Sequence, residues 1–355
     1  MKDKYVAYVG SYTYTGPSKG ITIYDVDTEK GTFVKRREVE VNNASAMILS
    51  RDKRHLYSIA DEGIVTFDVL PDGGLRQVAV TGIRGMRGCD LAVDRKNRFL
   101  LVAGSHDGKI TVMKIDADGV VCSIADGVFH EGLGTVAERG FKPHVTCVCF
   151  TPDEKYACAV DAGIDQIKVY AIRPRSGKLS LAYIIRSELD SGPRDMVFSE
   201  DGRFAYVMSE LHNEISVYAY ELTENGPEFT LLEQVPTVGA KPSDRSAATS
   251  LYMSADQAHM FCTNAGDNSV AMYDRDAETG HLKQRFVLPV SGAYPKDCGL
   301  FPGGDILYSV NHTGDSITFF RVDYEKGLLI MRSRPVKVYE PNRAVLLNLA
   351  EIKEG

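Results

Sequence analysis

The chain has 355 residues, a net charge of −7, 44% hydrophobic residues and 25% charged residues. This is the composition of a soluble globular protein long enough to bury a large core. It has no run near the roughly 20 apolar residues of a membrane span and no Lys/Arg block, so neither a membrane nor nucleic acid is expected as a partner.

Met1 to Tyr5 leads straight into a strand-like pattern with no signal-peptide apolar region, and a cytoplasmic location is expected. The seven cysteines are odd in number and lack metal-knuckle spacing, which suits free thiols in a reducing compartment.

In chain order, one phrase recurs: a polar or acidic turn, an aromatic or aliphatic pair, then a small or polar exit. It reads Tyr5-Val6-Ala7-Tyr8-Val9-Gly10, His55-Leu56-Tyr57-Ser58-Ile59-Ala60, Phe99-Leu100-Leu101-Val102-Ala103-Gly104 and Tyr156-Ala157-Cys158-Ala159-Val160-Asp161. It returns as Phe204 to Ser209, Met260 to Asn264 and Leu307 to Asn311. The equivalent residues Tyr8, Tyr57, Leu101, Cys158, Tyr206, Phe261 and Tyr308 are 44 to 57 positions apart.

A third strand follows each copy. Then comes a turn, usually with glycine, as in Asp72-Gly73-Gly74, Asp118-Gly119 and Thr279-Gly280, and a more polar fourth strand. Four short strands every 50 residues or so describe a propeller blade. Seven copies predict an all-β, seven-bladed β-propeller. A β-sandwich would not repeat the same four-strand phrase seven times, and the absence of Trp excludes the WD repeat.

The first copy lacks a preceding strand. Pro341 to Leu349 fits that vacancy, so the C-terminal strand is expected to close the first blade and remove an exposed sheet edge. No linker divides the chain, and residues 1–355 are read as a single domain. The inserts Ile124–Phe141 and Thr237–Ala247 are expected to be loops.

Strands within a blade are antiparallel, so first-strand entries and second-strand exits share one face. That face should gather His144, Arg194 and Arg343 from entries, with Asp61, Asp161, Glu210, Asn264, Asn311 and His312 from exits. Arg87, Lys142, Arg194, Lys241 with Arg245, Lys296 and Arg343 all lie near the start of a first strand. Six of seven blades thus offer a basic residue to one rim, which points to a funnel for a small anionic molecule. No Gly-x-Ser-x-Gly elbow, HExxH or Walker loop is present.

The motifs Gly10-Ser11-Tyr12-Thr13, His130-Glu131-Gly132-Leu133-Gly134, Pro143-His144, Thr151-Pro152-Asp153, Gly192-Pro193-Arg194, Ser209-Glu210-Leu211 and Asn264-Ala265-Gly266-Asp267-Asn268-Ser269 span the whole chain. Together they resemble the seven-bladed propeller lactonases, a family that includes bacterial 6-phosphogluconolactonases and fungal 3-carboxy-cis,cis-muconate lactonizing enzymes.

The resemblance implies His144, Glu210 and Arg194 as catalytic groups. Asp161, Lys142, Lys296, Arg343 and His312 are expected to help bind substrate, with no metal and no cofactor. Three positions depart from the family pattern: Ala265 replaces an Arg, Thr146 a second His, and Asp195 a His.

Hydrolysis needs a base for the water and a donor for the developing oxyanion, and His, Glu and Arg supply those types. The expected activity is hydrolysis of a small anionic sugar or organic-acid lactone, with specificity altered by the three departures. Ring closure of an unsaturated diacid by the same groups, and a non-catalytic ligand- or protein-binding propeller, are the alternatives.

Overall fold

The repeated phrase folds as antiparallel four-stranded sheets. In the computed structural model, which describes residues 4–135 and 141–353, seven such sheets surround a central channel. The innermost strands are Pro341–Asn348 for blade 1, Met47–Leu49 for blade 2, Asp90–Val93 for blade 3 and Val145–Phe150 for blade 4. Pro193–Phe198, Ala247–Met253 and Pro295–Leu300 follow for blades 5, 6 and 7. Blade 7 carries a short extra strand, Val336–Lys337, on its third strand.

Closure occurs as the sequence suggests. Pro341–Asn348 pairs antiparallel with Tyr5–Ser11, in a register running from Tyr5 opposite Asn348 to Ser11 opposite Pro341. The last strand therefore covers the edge that the first would otherwise expose.

The second strands show why the phrase was so apolar. His55–Ala60, Phe99–Gly104, Phe204–Ser209 and Ile306–Asn311 are buried at every position. Each lies inside its blade with another blade stacked on either face, so both of its faces must be apolar or satisfied. The core is accordingly a ring of inter-blade layers. Val6 and Tyr8 of blade 1 pack on Leu56 and Phe67 of blade 2, and Phe204 and Tyr206 of blade 5 pack on Ala248 and Met260 of blade 6. Ala7 and Val9 meet Phe301 and Tyr308 across the closing interface.

The aromatic and the glycine of the phrase meet across these layers. Tyr8, Tyr57 and Tyr206 donate their hydroxyls to the carbonyls of Gly73 (2.9 Å), Gly119 (2.8 Å) and Gly280 (2.9 Å), each in the outer turn of the next blade. Gly119 has φ +81°, and a Cβ there would fall 2.2 Å from the His55 ring, so only glycine suits that turn.

The insert at 124–141 is less loop-like than expected. Its first part continues the fourth strand of blade 3, Val121–Phe129, and residues 136–140 lie outside the described residues.

Candidate active site

Local irregularity in the innermost strands builds the site. Val145 lies opposite Asp161 and Cys147 opposite Val160, which leaves Thr146 as an extra residue. The same shift leaves Arg194, Thr249, Lys296 and Asn342 extra in blades 5, 6, 7 and 1. A bulge turns two consecutive side chains to one side, where a regular strand would alternate them.

The result is a channel-mouth cavity lined by consecutive pairs: Cys89-Asp90, Thr146-Cys147, Arg194-Asp195, Thr249-Ser250, Lys296-Asp297 and Asn342-Arg343. With its open mouth it encloses about 490 Å³.

The second member of three pairs is an aspartate that ties blades together. Asp90 Oδ2 accepts the Val148 amide (3.1 Å), Asp195 Oδ2 the Leu251 amide (2.9 Å) and Asp297 Oδ2 the Ala344 amide (3.0 Å). Burial raises the carboxyls of Asp90 and Asp297, and the Arg343 guanidinium opposes this. Arg343 NH1 lies 3.0 Å from Asp90 Oδ1, with Asp297 and Asp195 also within electrostatic reach. Its side chain is 46% exposed, because the channel it faces is open.

Two first members, Arg194 and Lys296, bring cationic side chains to the cavity. Arg194 NH1 donates to Glu210 Oε2 at 2.8 Å and its Nε to the Thr249 carbonyl at 3.3 Å. Burial alone would weaken the hold of Arg194 on its proton, but Glu210 and Tyr294 outweigh it and raise the guanidinium's pKa. Lys296 Nζ donates to Asn342 Oδ1 at 2.6 Å, lies 3.4 Å from the Tyr12 hydroxyl and sits 4.6 Å from the centre of that ring. Burial, and then the charge of Arg194, pushes Lys296 down to about 7. Burial pushes the Cys89 thiol up to about 11, so it is not a ready nucleophile.

Tyr12 organises the blade 1 side. Arg87 stacks over it at 4.9 Å and over Tyr14 at 5.2 Å, and ion-pairs with Asp61 at 3.1 Å. The His312 ring meets Tyr12 edge-on at 5.4 Å and its Nδ1 lies 3.1 Å from the Pro341 carbonyl. Burial, with Lys296 next, lowers the His312 pKa.

The expected residues thus fall into groups. Arg194 and Lys296 line the cavity, and Glu210, buried at the exit of the blade 5 second strand, holds Arg194. His312 belongs to the Tyr12 cluster. His144 is half-buried, two residues before the cavity-lining Thr146.

Three of the expected binding residues are placed differently from Lys296. Asp161 is fully buried inside the blade 4 wall, where its oxygens accept from the amides of His144 (2.7 Å) and Gly163 (3.0 Å) and meet His130 Nδ1 at 2.6 Å. It holds the backbone of His144 in place and is not presented to a ligand. Lys142 is exposed and is not among the cavity-lining side chains. Arg343 does line the cavity, but its charge is committed to the aspartates around it. Of the other basic residues on the expected rim, Lys241 and Arg245 are also exposed.

Two departures from the family pattern have structural roles: Asp195 is a blade tie, and Thr146 Oγ1 donates to the Arg194 carbonyl at 2.9 Å. Ala265 is buried opposite Ala247.

His130 as the partner of Asp161, and the contributions of Cys89, Thr249, Ser250 and Asn342, were missed. A signal existed for most of them: adjacent polar residues at the start of each first strand break the period of two, as a bulge does.

A family model described as "Lactonase, 7-bladed beta-propeller" matches residues 6–346. The chain belongs to the seven-bladed β-propeller lactonase family. It is 29% identical over 344 residues to a 6-phosphogluconolactonase of Bacillus subtilis, covering 95% of this chain and 97% of that one. Among solved structures it resembles the Pseudomonas aeruginosa periplasmic gluconolactonase, with a TM-score of 0.90, 25% identity and coverage of 98% and 99% of the two chains. A protein from Lactobacillus plantarum matches with a TM-score of 0.88, 28% identity and coverage of 98% and 100%. Among the described residues, no helix is long and apolar enough to cross a membrane.

Proposed function

We propose that this member of the family hydrolyses a small anionic sugar or organic-acid lactone at the channel mouth. The observation that carries the reading is the placement of Arg194, paired with Glu210, in a cavity that also presents Lys296.

Arg194 is suited to stabilise the oxyanion that forms on the lactone carbonyl, because Glu210 and the Thr249 carbonyl fix the guanidinium before substrate arrives. A basic group at the mouth, His144 from the blade 4 side or Lys296 from the blade 7 side, accepts the proton of the attacking water. Arg87, held over Tyr12 and Tyr14, is placed to attract a second anionic group on the substrate. The names of the B. subtilis and P. aeruginosa relatives support a gluconolactone skeleton, with and without phosphate respectively. The seven free thiols support a cytoplasmic location.

The test is a lactone panel, phosphorylated and not, assayed by acid release with wild-type protein and Glu210→Gln. The variant should lose about 10- to 100-fold in kcat/KM, as expected when a fixed oxyanion donor is loosened. Equal rates in both proteins would refute the role of the Arg194–Glu210 pair. Consumption of an unsaturated diacid, with no hydrolysis of any lactone, would favour ring closure instead.

A further inference from the structure

We propose that Lys296 is the acid–base residue of the reaction: it takes a proton from the attacking water and returns it to the leaving hydroxyl. The assignment rests on the lactonase reading above and goes beyond it by choosing the group that moves the proton.

Lys296 is the extra residue of the blade 7 bulge, and this turns its side chain into the same cavity as Arg194. A lysine placed only to add positive charge would be expected to have a carboxylate partner or bulk water. Lys296 has neither. It is half-buried, and among the described residues no carboxylate is ion-paired with it.

Its charged and titratable surroundings are predominantly cationic or neutral. Blade 5 contributes Arg194, blade 3 contributes Arg87 and Cys89, and blade 1 contributes the Tyr12 hydroxyl. Glu340 acts from the segment before Pro341, and His312 comes from blade 7 itself. Arg194 and Arg87, themselves paired with Glu210 and Asp61, act on Lys296 from the cationic side, and Glu340, which also accepts a hydrogen bond from Thr15 Oγ1, acts from the anionic side. Desolvation and neighbouring cations are the two means by which proteins keep a lysine neutral for chemistry. Burial, with Arg194 next, brings Lys296 down to about 7.

The hydrogen bonds also suit a neutral amine. Asn342 Nδ2 donates to the Ala44 carbonyl at 3.2 Å, which leaves Oδ1 facing Lys296. A neutral amine that gives one N–H to Asn342 Oδ1 keeps its lone pair for a water. Glu210 is less suited to the task, because it is engaged with the Arg194 guanidinium at 2.8 Å.

The step balances without a cofactor. The Lys296 amine takes a proton as the water oxygen bonds to the lactone carbonyl carbon. The carbonyl electron pair moves to oxygen, beside Arg194. When the tetrahedral species collapses, the ring C–O bond breaks and the departing oxygen takes the proton back from the ammonium. The products are the open hydroxy acid and a regenerated amine.

The experiment uses the lactone hydrolysed best by the wild type and compares Lys296→Arg with Lys296→Met, both first checked for a wild-type melting transition. Arginine keeps the positive charge but cannot act as a base near neutrality. Both variants should lose about 100-fold or more in kcat, as for removal of a general base. KM should stay within about threefold for Lys296→Arg, and the acid limb of the wild-type pH profile, near pH 7, should disappear in both.

If Lys296→Arg keeps wild-type kcat, or the acid limb persists in Lys296→Met, the assignment falls while the lactonase reading stands. If the wild type opens no lactone, that reading fails and takes the assignment with it.

Discussion

Replacing Lys296 by methionine should change how stability depends on pH, whatever the substrate. In the unfolded chain a lysine titrates near 10.4, whereas burial and Arg194 bring Lys296 down to about 7 in the fold. Between those values the unfolded state holds more of this proton than the folded state, so wild-type stability rises with pH across that window. At 1.36 kcal/mol per pH unit the full window is worth at most about 5 kcal/mol. Access to the open channel reduces this to about 2–4 kcal/mol.

Lys296→Met lacks the titration. Relative to wild type it should therefore be stabilised most at and below pH 7, and the advantage should shrink steadily towards pH 10. Losing the hydrogen bond to Asn342 shifts the whole difference by about 1 kcal/mol but does not tilt it. Urea unfolding of both proteins from pH 6.5 to 9.5 measures the tilt, since titrating groups that do not interact with Lys296 cancel in the difference. Parallel curves would show that Lys296 titrates normally and would remove the physical basis for its role in proton transfer.

Two further outcomes test the scaffold. Tyr206→Phe deletes the hydroxyl that donates to the Gly280 carbonyl and accepts from Arg275 Nε at 2.6 Å, so both buried groups lose a partner. A loss of about 1–3 kcal/mol is expected in urea unfolding, and a change below about 0.3 kcal/mol would contradict the inter-blade role given to this bond. Burial lowers the His130 pKa, with Asp161 opposing. The unfolded state therefore takes up this proton first as pH falls below about 6.5, and stability drops there. His130→Asn keeps a donor for Asp161 but cannot titrate, and its stability should vary less between pH 6.5 and 5; an unchanged slope would contradict this.

The fold was legible because a propeller writes its plan repeatedly. The aromatic at Tyr8, Tyr57 and Tyr206 and the glycine at Gly73, Gly119 and Gly280 recur because they meet across three of the inter-blade interfaces. The closing strand was legible because Tyr5–Ser11 lacked an inner neighbour.

The site was legible only in part, because its construction depends on departures from regular strand geometry. A period of two sends Arg194 and Asp195 to opposite faces, whereas the bulge brings both to the channel. Asp161 looked like a ligand group because it ends a strand at the right face. Only the fold reveals that His130 and two backbone amides occupy it. Arg343 looked like part of an anion funnel until Asp90, Asp195 and Asp297, remote in sequence, appeared around it. Spacing along the chain locates a face, but which charges cancel there depends on contacts between blades.

The central claim is that lactone opening occurs at the Arg194 cavity. Its most direct measurement is kcat/KM for Arg194→Ala on the best lactone of the panel, with folding confirmed by an unchanged melting transition. A loss of about 100-fold or more, mostly in kcat, is the predicted result for removal of an oxyanion donor. Wild-type kcat/KM in a folded Arg194→Ala protein would place the chemistry elsewhere and contradict the account.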